Sequence, residues 1–167
     1  IRERARQMPE EPMDILLNVN MMMPDHAFRA ALSRQLADDP AALRYAQEKI
    51  GLSVTVVMRL VPMTPEKYLR EDPLALYTNG FPELVADRLG FKGQAPNLPM
   101  LRLTDDILAE ESRKIYTLNL SHAAASYLSY QSGLTYMAEA VGDPRLRPLI
   151  QQALAEAAVG LCGEYRF

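Results

Sequence analysis

The texture of the sequence changes near Thr104, and this change constrains the fold more than any other feature of the chain. Upstream, apolar runs rich in β-branched residues alternate with helical stretches and are broken by proline and glycine. Downstream, a helical pattern runs to Val141, with Gly142 as its stop and Asp143-Pro144 as a restart. Asp105, Asp106, Glu110 and Glu111 sit in or near the first turns, where the positive end of a helix favours acidic side chains. The expected order is strand, helices, a small sheet, then long helices.

The upstream half resolves further. Residues 1–7 look like the end of a charged helix, followed by a break at Pro9–Pro12 and a buried strand over Met13–Asn18. Pro24-Asp25 starts a helix with Phe28, Ala31, Leu32 and Leu36 on one face. Asp39-Pro40 is a cap followed by proline at the first helical position, Gly51 stands as the stop, and Thr64-Pro65 repeats the device. Ser53–Pro62 reads as a strand, and Leu74–Tyr77 and Glu83–Ala86 flank the hairpin dipeptide Asn79-Gly80, with Met100–Leu103 as a further short strand. The predicted sheet is therefore small and mostly antiparallel, and the fold class is α/β. Ser121, Ala125, Ser129 and Gly133 recur every four positions, which lets another helix approach closely. Leu146, Leu149, Ile150, Ala153, Leu154 and Ala157 form the apolar side of the last helix.

Composition narrows the function classes. A chain of 167 residues can bury a real core, and a net charge of −3 with no basic run argues against nucleic acid or anionic membrane as the main partner. No apolar stretch approaches the roughly 20 residues that span a bilayer. The single cysteine, Cys162, excludes an internal disulfide framework and fits a reducing, cytoplasmic compartment. Neither H-E-x-x-H nor C-x-x-C occurs, so no metal site is expected.

Chemistry concentrates in Arg113-Lys114-Ile115-Tyr116-Thr117-Leu118-Asn119-Leu120-Ser121-His122, which spaces a lysine, an asparagine and a histidine as K-x4-N-x2-H. At about 100° per residue of a regular helix, the three fall within an arc of roughly 140° with His122 between the others. One proton acceptor, one amide and one imidazole on one wall can handle the proton of an alcohol. A lysine takes that proton when burial or nearby positive charge favours its neutral form, and an amide donates to the developing oxyanion. Each residue also has an ordinary structural use. Lys114 can pair with Glu110 or Glu111 on the helix surface, Asn119 can bond a neighbouring loop, and His122 can be a satisfied core histidine.

The decapeptide, with the following Ala123-Ala124-Ala125-Ser126-Tyr127-Leu128-Ser129-Tyr130-Gln131-Ser132-Gly133, resembles the signature helix of the long-chain, metal-independent polyol dehydrogenase family, closest to its mannitol-1-phosphate 5-dehydrogenase branch. Asp14–Asn20 is similar to that family's strand ending in an acidic-Asn pair, Gly90–Pro99 to its Phe-Lys-Gly segment, and Val57–Pro62 to its strand running into Arg-x-Val-Pro. Val19, Asn18 and Met58 depart from the family's usual residues, on the nicotinamide side of its site.

The resemblance implies that Lys114 is the base in oxidation and the acid in reduction. It further implies that Asn20 and Asn119 bind the oxyanion and that His122 orients a substrate hydroxyl. Lys92, Arg59 and Arg113 are candidates for a substrate phosphate by charge alone. The implied cofactor is NAD or NADP, and the implied partner a sugar-alcohol phosphate or related small polyol. The family joins a Rossmann domain to a helical C-terminal domain, but the eight glycines here include no G-x-G-x-x-G. The expectation is an internal piece of a longer enzyme that binds NAD poorly alone. Residues 1–23 would be the end of a Rossmann domain, 24–103 a linking region with the small sheet, and 104–167 an incomplete, mainly helical catalytic domain. The expected reaction interconverts mannitol 1-phosphate and fructose 6-phosphate. Alternatives are a tagaturonate or fructuronate reductase of the same superfamily, and a non-catalytic remnant acting as an interaction module.

Overall fold

Four short strands carry the first half of the chain. A computed structural model describes residues 1–167, and within it two units form, Ile1–Ile107 and Leu108–Phe167. In the first unit β1 (Met13–Leu17), β2 (Ile50–Val57), β3 (Leu84–Asp87) and β4 (Leu101–Thr104) lie side by side in chain order. β1 pairs with β2 in parallel, β2 with β3 antiparallel, and β3 with β4 in parallel.

The expected mostly antiparallel sheet is thus corrected to a mostly parallel one, and the connections give the reason. Residues 18–49 hold α2 (Pro24–Gln35) and α3 (Pro40–Glu48), and a crossover of this length returns the chain in the same direction. The hairpin expected at Asn79-Gly80 does not form, because residues 74–83 are not in a strand. The Asn79 side chain instead accepts from the Leu60 amide (3.1 Å) and donates to the Met58 carbonyl (3.0 Å), tying the loop to the chain just beyond β2.

Local caps explain the helices. The Asp39 carboxylate accepts from the Ala42 amide at 3.0 Å and Pro40 occupies the first turn of α3. That helix ends at Lys49, so Gly51 is not its stop but part of β2. Thr64 does not cap α4 (Glu66–Glu71); its hydroxyl donates to the Ala75 carbonyl and accepts from the Tyr77 amide. α1 (Arg2–Gln7) lies beside α3 through Arg4, whose guanidinium donates to the Tyr45 hydroxyl at 2.9 Å. Leu17, Leu36, Ala42, Tyr45, Ala46, Ile50 and Leu52 form the core.

The Phe-Lys-Gly segment is clamped to the amino end of this sheet. The Asp14 carboxylate accepts from the backbone amides of Lys92 (2.7 Å) and Gly93 (3.1 Å). A short 3-10 turn, Arg88–Gly90, precedes it and is capped by Asp87, which accepts from the Leu89 amide at 2.9 Å. Gly90 then passes so close to β2 that a Cβ there would lie 2.5 Å from the Leu52 carbonyl oxygen and from the Ser53 Cα. Burial, with Asp25 and Asp105 adding to it, raises the Asp87 carboxyl above the ordinary range, against the Leu89 amide.

The second unit is helical. α5 (Ile107–Lys114) runs through a π-helical turn (Ile115–Asn119) into α6 (Leu120–Gln131). The helix expected to reach Val141 stops ten residues earlier. Gly133 takes φ 70°, and the Leu134 amide donates to the Ser129 carbonyl at 2.9 Å, a glycine-ended cap. α7 (Met137–Gly142) begins anew, its first amides held by the Glu139 carboxylate, which accepts from Tyr136 at 2.7 Å. α8 (Arg147–Glu164) completes the unit. Ala125, Ala140, Leu146 and Ile150 make its small core, so Ala125 and Ser129 are buried at the close helix approach their spacing implied. No helix is long and apolar enough to cross a membrane.

Candidate functional site

The π turn is the feature of the second unit that sets how the candidate residues Lys114, Asn119 and His122 are arranged. The Leu120 amide donates back five residues to the Ile115 carbonyl, so one turn of helix absorbs an additional residue. The Thr117 hydroxyl donates to the Arg113 carbonyl at 2.6 Å and the Ser121 hydroxyl to the Leu118 carbonyl at 2.8 Å, supplying hydrogen bonds to carbonyls around the widened turn. An absorbed residue removes about 100° from every position that follows. Asn119 then falls about 40° from Lys114 and His122 about 20° on the other side, in place of a 140° arc. Lys114, Asn119 and His122 therefore share a narrow stripe, and all three are half-buried.

Their neighbours are disposed differently. Arg113 is paired with the Glu110 carboxylate, and its guanidinium lies 5.9 Å from the centre of the Phe167 ring. Glu110 is half-buried under this pairing, and Glu111 is buried. His122 lines a cleft of about 520 Å³ together with Ser121, Arg147 and Gln151 over a floor that includes Ala125 and Ile150. Neither Lys114 nor Asn119 lines that cleft.

In the first unit Asn20 lies three residues past the carboxyl end of β1, on an exposed loop. Because β1 and β2 are parallel, their carboxyl ends point the same way, and open parallel sheets hold ligands beyond those ends. The base of the loop is held from β2, where the Thr55 hydroxyl bonds the Leu17 carbonyl (3.1 Å) and the Asn18 side chain. Arg59 follows β2 at the same end, but its guanidinium donates to the Phe81 carbonyl (3.0 and 2.5 Å), pinning the long loop that leads to β3. Lys92 is elsewhere. Its amide is bonded to Asp14 near the amino end of β1, the opposite end of the strand from Asn20. The structure thus brings Lys114, Asn119 and His122 together in one unit, places Asn20 and Arg59 at one sheet end in the other, and separates Lys92 from them. No group of three or more His, Cys, Asp or Glu side chains is gathered as for a metal ion.

Sequence reasoning missed Thr55, the π turn and Arg147. Arg147 and Gln151 are four apart on a helix, a spacing that signals a shared face but not what that face meets.

Comparisons with known proteins find likenesses in both sequence and fold. Residues 106–164 match the mannitol dehydrogenase C-terminal domain family. Among solved structures, a D-sorbitol dehydrogenase in substrate-free form superposes with a TM-score of 0.74 at 20% identity, over 89% of this chain and 33% of that one. The Pseudomonas fluorescens mannitol 2-dehydrogenase, solved as a ternary complex with NAD and D-mannitol, gives 0.72 at 21% identity, over 87% of this chain and 32% of that one. At these identities the likeness to the two structures concerns the fold. The chain spans about a third of the length of either.

Proposed function

We propose that this chain is the substrate-handling part of an NAD-dependent polyol dehydrogenase that interconverts a secondary alcohol and a ketone without a metal. The observation that carries the reading is the alignment of Lys114, Asn119 and His122 by the π turn, inside the segment that matches the mannitol dehydrogenase C-terminal domain family. The preferred substrate is a polyol phosphate, mannitol 1-phosphate, with fructose 6-phosphate as its ketone. An aldonate, as for a tagaturonate or fructuronate reductase, is the second candidate.

Each residue has a task. In oxidation the Lys114 amine takes the hydroxyl proton, and in reduction the ammonium returns it to the oxygen. The Asn119 amide donates to the same oxygen as negative charge gathers on it. His122 orients a neighbouring hydroxyl and so selects which carbon faces the lysine. A bound nicotinamide supplies the hydride acceptor for oxidation and the donor for reduction. The exposed Asn18–Asn20 loop at the carboxyl end of a parallel strand pair suits the edge of such a cofactor's site.

The test uses the full-length gene product with NAD and three alcohols, mannitol, mannitol 1-phosphate and altronate, followed by nicotinamide absorbance. Lys114→Met is expected to lower kcat by about 100- to 10,000-fold on the preferred alcohol, the range of a positioned acid or base. Turnover that survives in Lys114→Met, or a folded wild type that oxidises none of the three, would sink the proposal.

A further inference from the structure

The cleft beside His122 has a charge pattern that the proton chemistry does not use. Arg147 is the only charged side chain among its lining residues, and no carboxylate lines it. The nearest acid in sequence on that helix end, Asp143, is already committed. Its carboxylate accepts from both Nε (3.1 Å) and Nη2 (2.7 Å) of Arg145 and from the Arg145 amide (2.8 Å). That pairing holds the Asp143 carboxyl down at about 2. Arg147 enters no ion pair of its own. A guanidinium left unpaired beside an imidazole and the Gln151 amide, above an apolar floor, is complementary to an oxyanion attached to a hydroxylated chain. The cleft volume of about 520 Å³ suits a small ligand.

We infer that Arg147 binds the terminal oxyanion of the substrate, and that Gln151 and His122 take hydroxyls between that end and the reacting carbon. The inference rests on the dehydrogenase reading for the identity of the ligand. Its geometry follows from the helix. Lys114 and His122 are eight residues apart, at most about 12 Å along the axis, a span that an extended six-carbon chain bridges only together with the reach of the Lys114 side chain. A substrate whose reacting carbon meets Lys114 therefore sends its far terminus toward the cleft. Both candidate classes carry their anion at that far end, a phosphate in the polyol phosphate and a carboxylate in the aldonate, so the shared chemistry is a terminal group of several anionic oxygens. Arg59, Arg113 and Lys92, the cations the sequence suggested, are engaged with Phe81, with Glu110 and at the other sheet end respectively.

The experiment compares wild type, Arg147→Met and Arg147→Lys in the full-length gene product on mannitol, mannitol 1-phosphate and altronate. Arg147 is exposed, so neither variant empties the core. Arg147→Met is expected to lower kcat/KM about 10- to 100-fold on the preferred anionic substrate, chiefly through KM. The loss on neutral mannitol should be at least about tenfold smaller, and Arg147→Lys should recover part of it. A preference for mannitol 1-phosphate that Arg147→Met removes identifies a phosphate subsite, and the same result with altronate identifies a carboxylate subsite. Equal losses on neutral and anionic alcohols, or no loss, overturn the inference.

A second readout separates this inference from the reading beneath it. The His122 ring resonances can be assigned in the full-length gene product by their loss in His122→Asn and followed in the wild type while inorganic phosphate is titrated. If no alcohol is turned over, the dehydrogenase reading fails, yet a saturable His122 shift that Arg147→Met abolishes still supports the anion site. Absence of that shift in the wild type overturns it.

Discussion

Replacing Gly90 by alanine adds one methyl group where β2 leaves no room. The new Cβ would stand 2.5 Å from the Leu52 carbonyl oxygen, 2.5 Å from the Ser53 Cα and 2.9 Å from the Ser53 nitrogen, whereas real Cβ atoms essentially never come closer than 3.0 Å. All three are backbone atoms of an interior strand, and Leu52 and Ser53 are 1% and 0% exposed, so β2 cannot give way. The turn must retreat by at least 0.5 Å, the difference between those two distances.

Retreat strains what the turn holds: the Ser53 hydroxyl bond to the Asp87 carbonyl (2.8 Å) and the Asp14 bonds to Lys92 and Gly93. Overpacking costs about 1–3 kcal/mol, and one or two weakened hydrogen bonds add about 0.5–1.5 kcal/mol each. The sum, about 1.5–6 kcal/mol, lowers the melting temperature by about 6–24 °C at roughly 4 °C per kcal/mol. Circular dichroism melts of wild type and Gly90→Ala measure this directly. A fall of less than about 4 °C would show that the turn is not held against β2, and the steric account of the Phe-Lys-Gly segment would be wrong.

The same chemical change elsewhere has the opposite sign. Gly160 lies inside α8 with nothing within 4 Å of its added Cβ, so Gly160→Ala should stabilise by about 0.5–1 kcal/mol, read as a rise in the urea midpoint without a change in slope. The Asp143 pair predicts a pH dependence. A carboxyl held at about 2 when folded, below its value in the unfolded chain, contributes stability that is fully present above about pH 4 and lost as pH falls toward 2. Melts between pH 5 and pH 2 should therefore fall more steeply for wild type than for Asp143→Asn, and parallel curves would contradict the pairing.

How much was legible in the residues depends on the range of the cause. The starts of α2 and α3 were readable because proline and the Asp39 cap act within three residues. The helical second half was readable from its periodicity, and the family resemblance of its decapeptide agrees with the match over residues 106–164. Strand direction was not readable. Asn79-Gly80 favours a hairpin locally, but its side chain found partners at Met58 and Leu60 once β2 was in place. Gly133 continues a four-residue spacing of small residues in the sequence, but its backbone freedom makes it the end of α6.

The sequence by itself determined the K-x4-N-x2-H spacing of Lys114, Asn119 and His122, because residue type and spacing are local properties. It also determined the helix starts and the absence of a dinucleotide fingerprint from these 167 residues. Only the tertiary structure decided the parallel pairing of β1 with β2, the displacement of Lys92 to the far end of that strand, the pairing that leaves Arg147 facing the His122 cleft, and the additional residue taken up between Lys114 and Asn119. The first two depend on which distant group satisfies a hydrogen bond, and a spacing rule that assumes 3.6 residues per turn carries no information about that or about a turn that departs from 3.6.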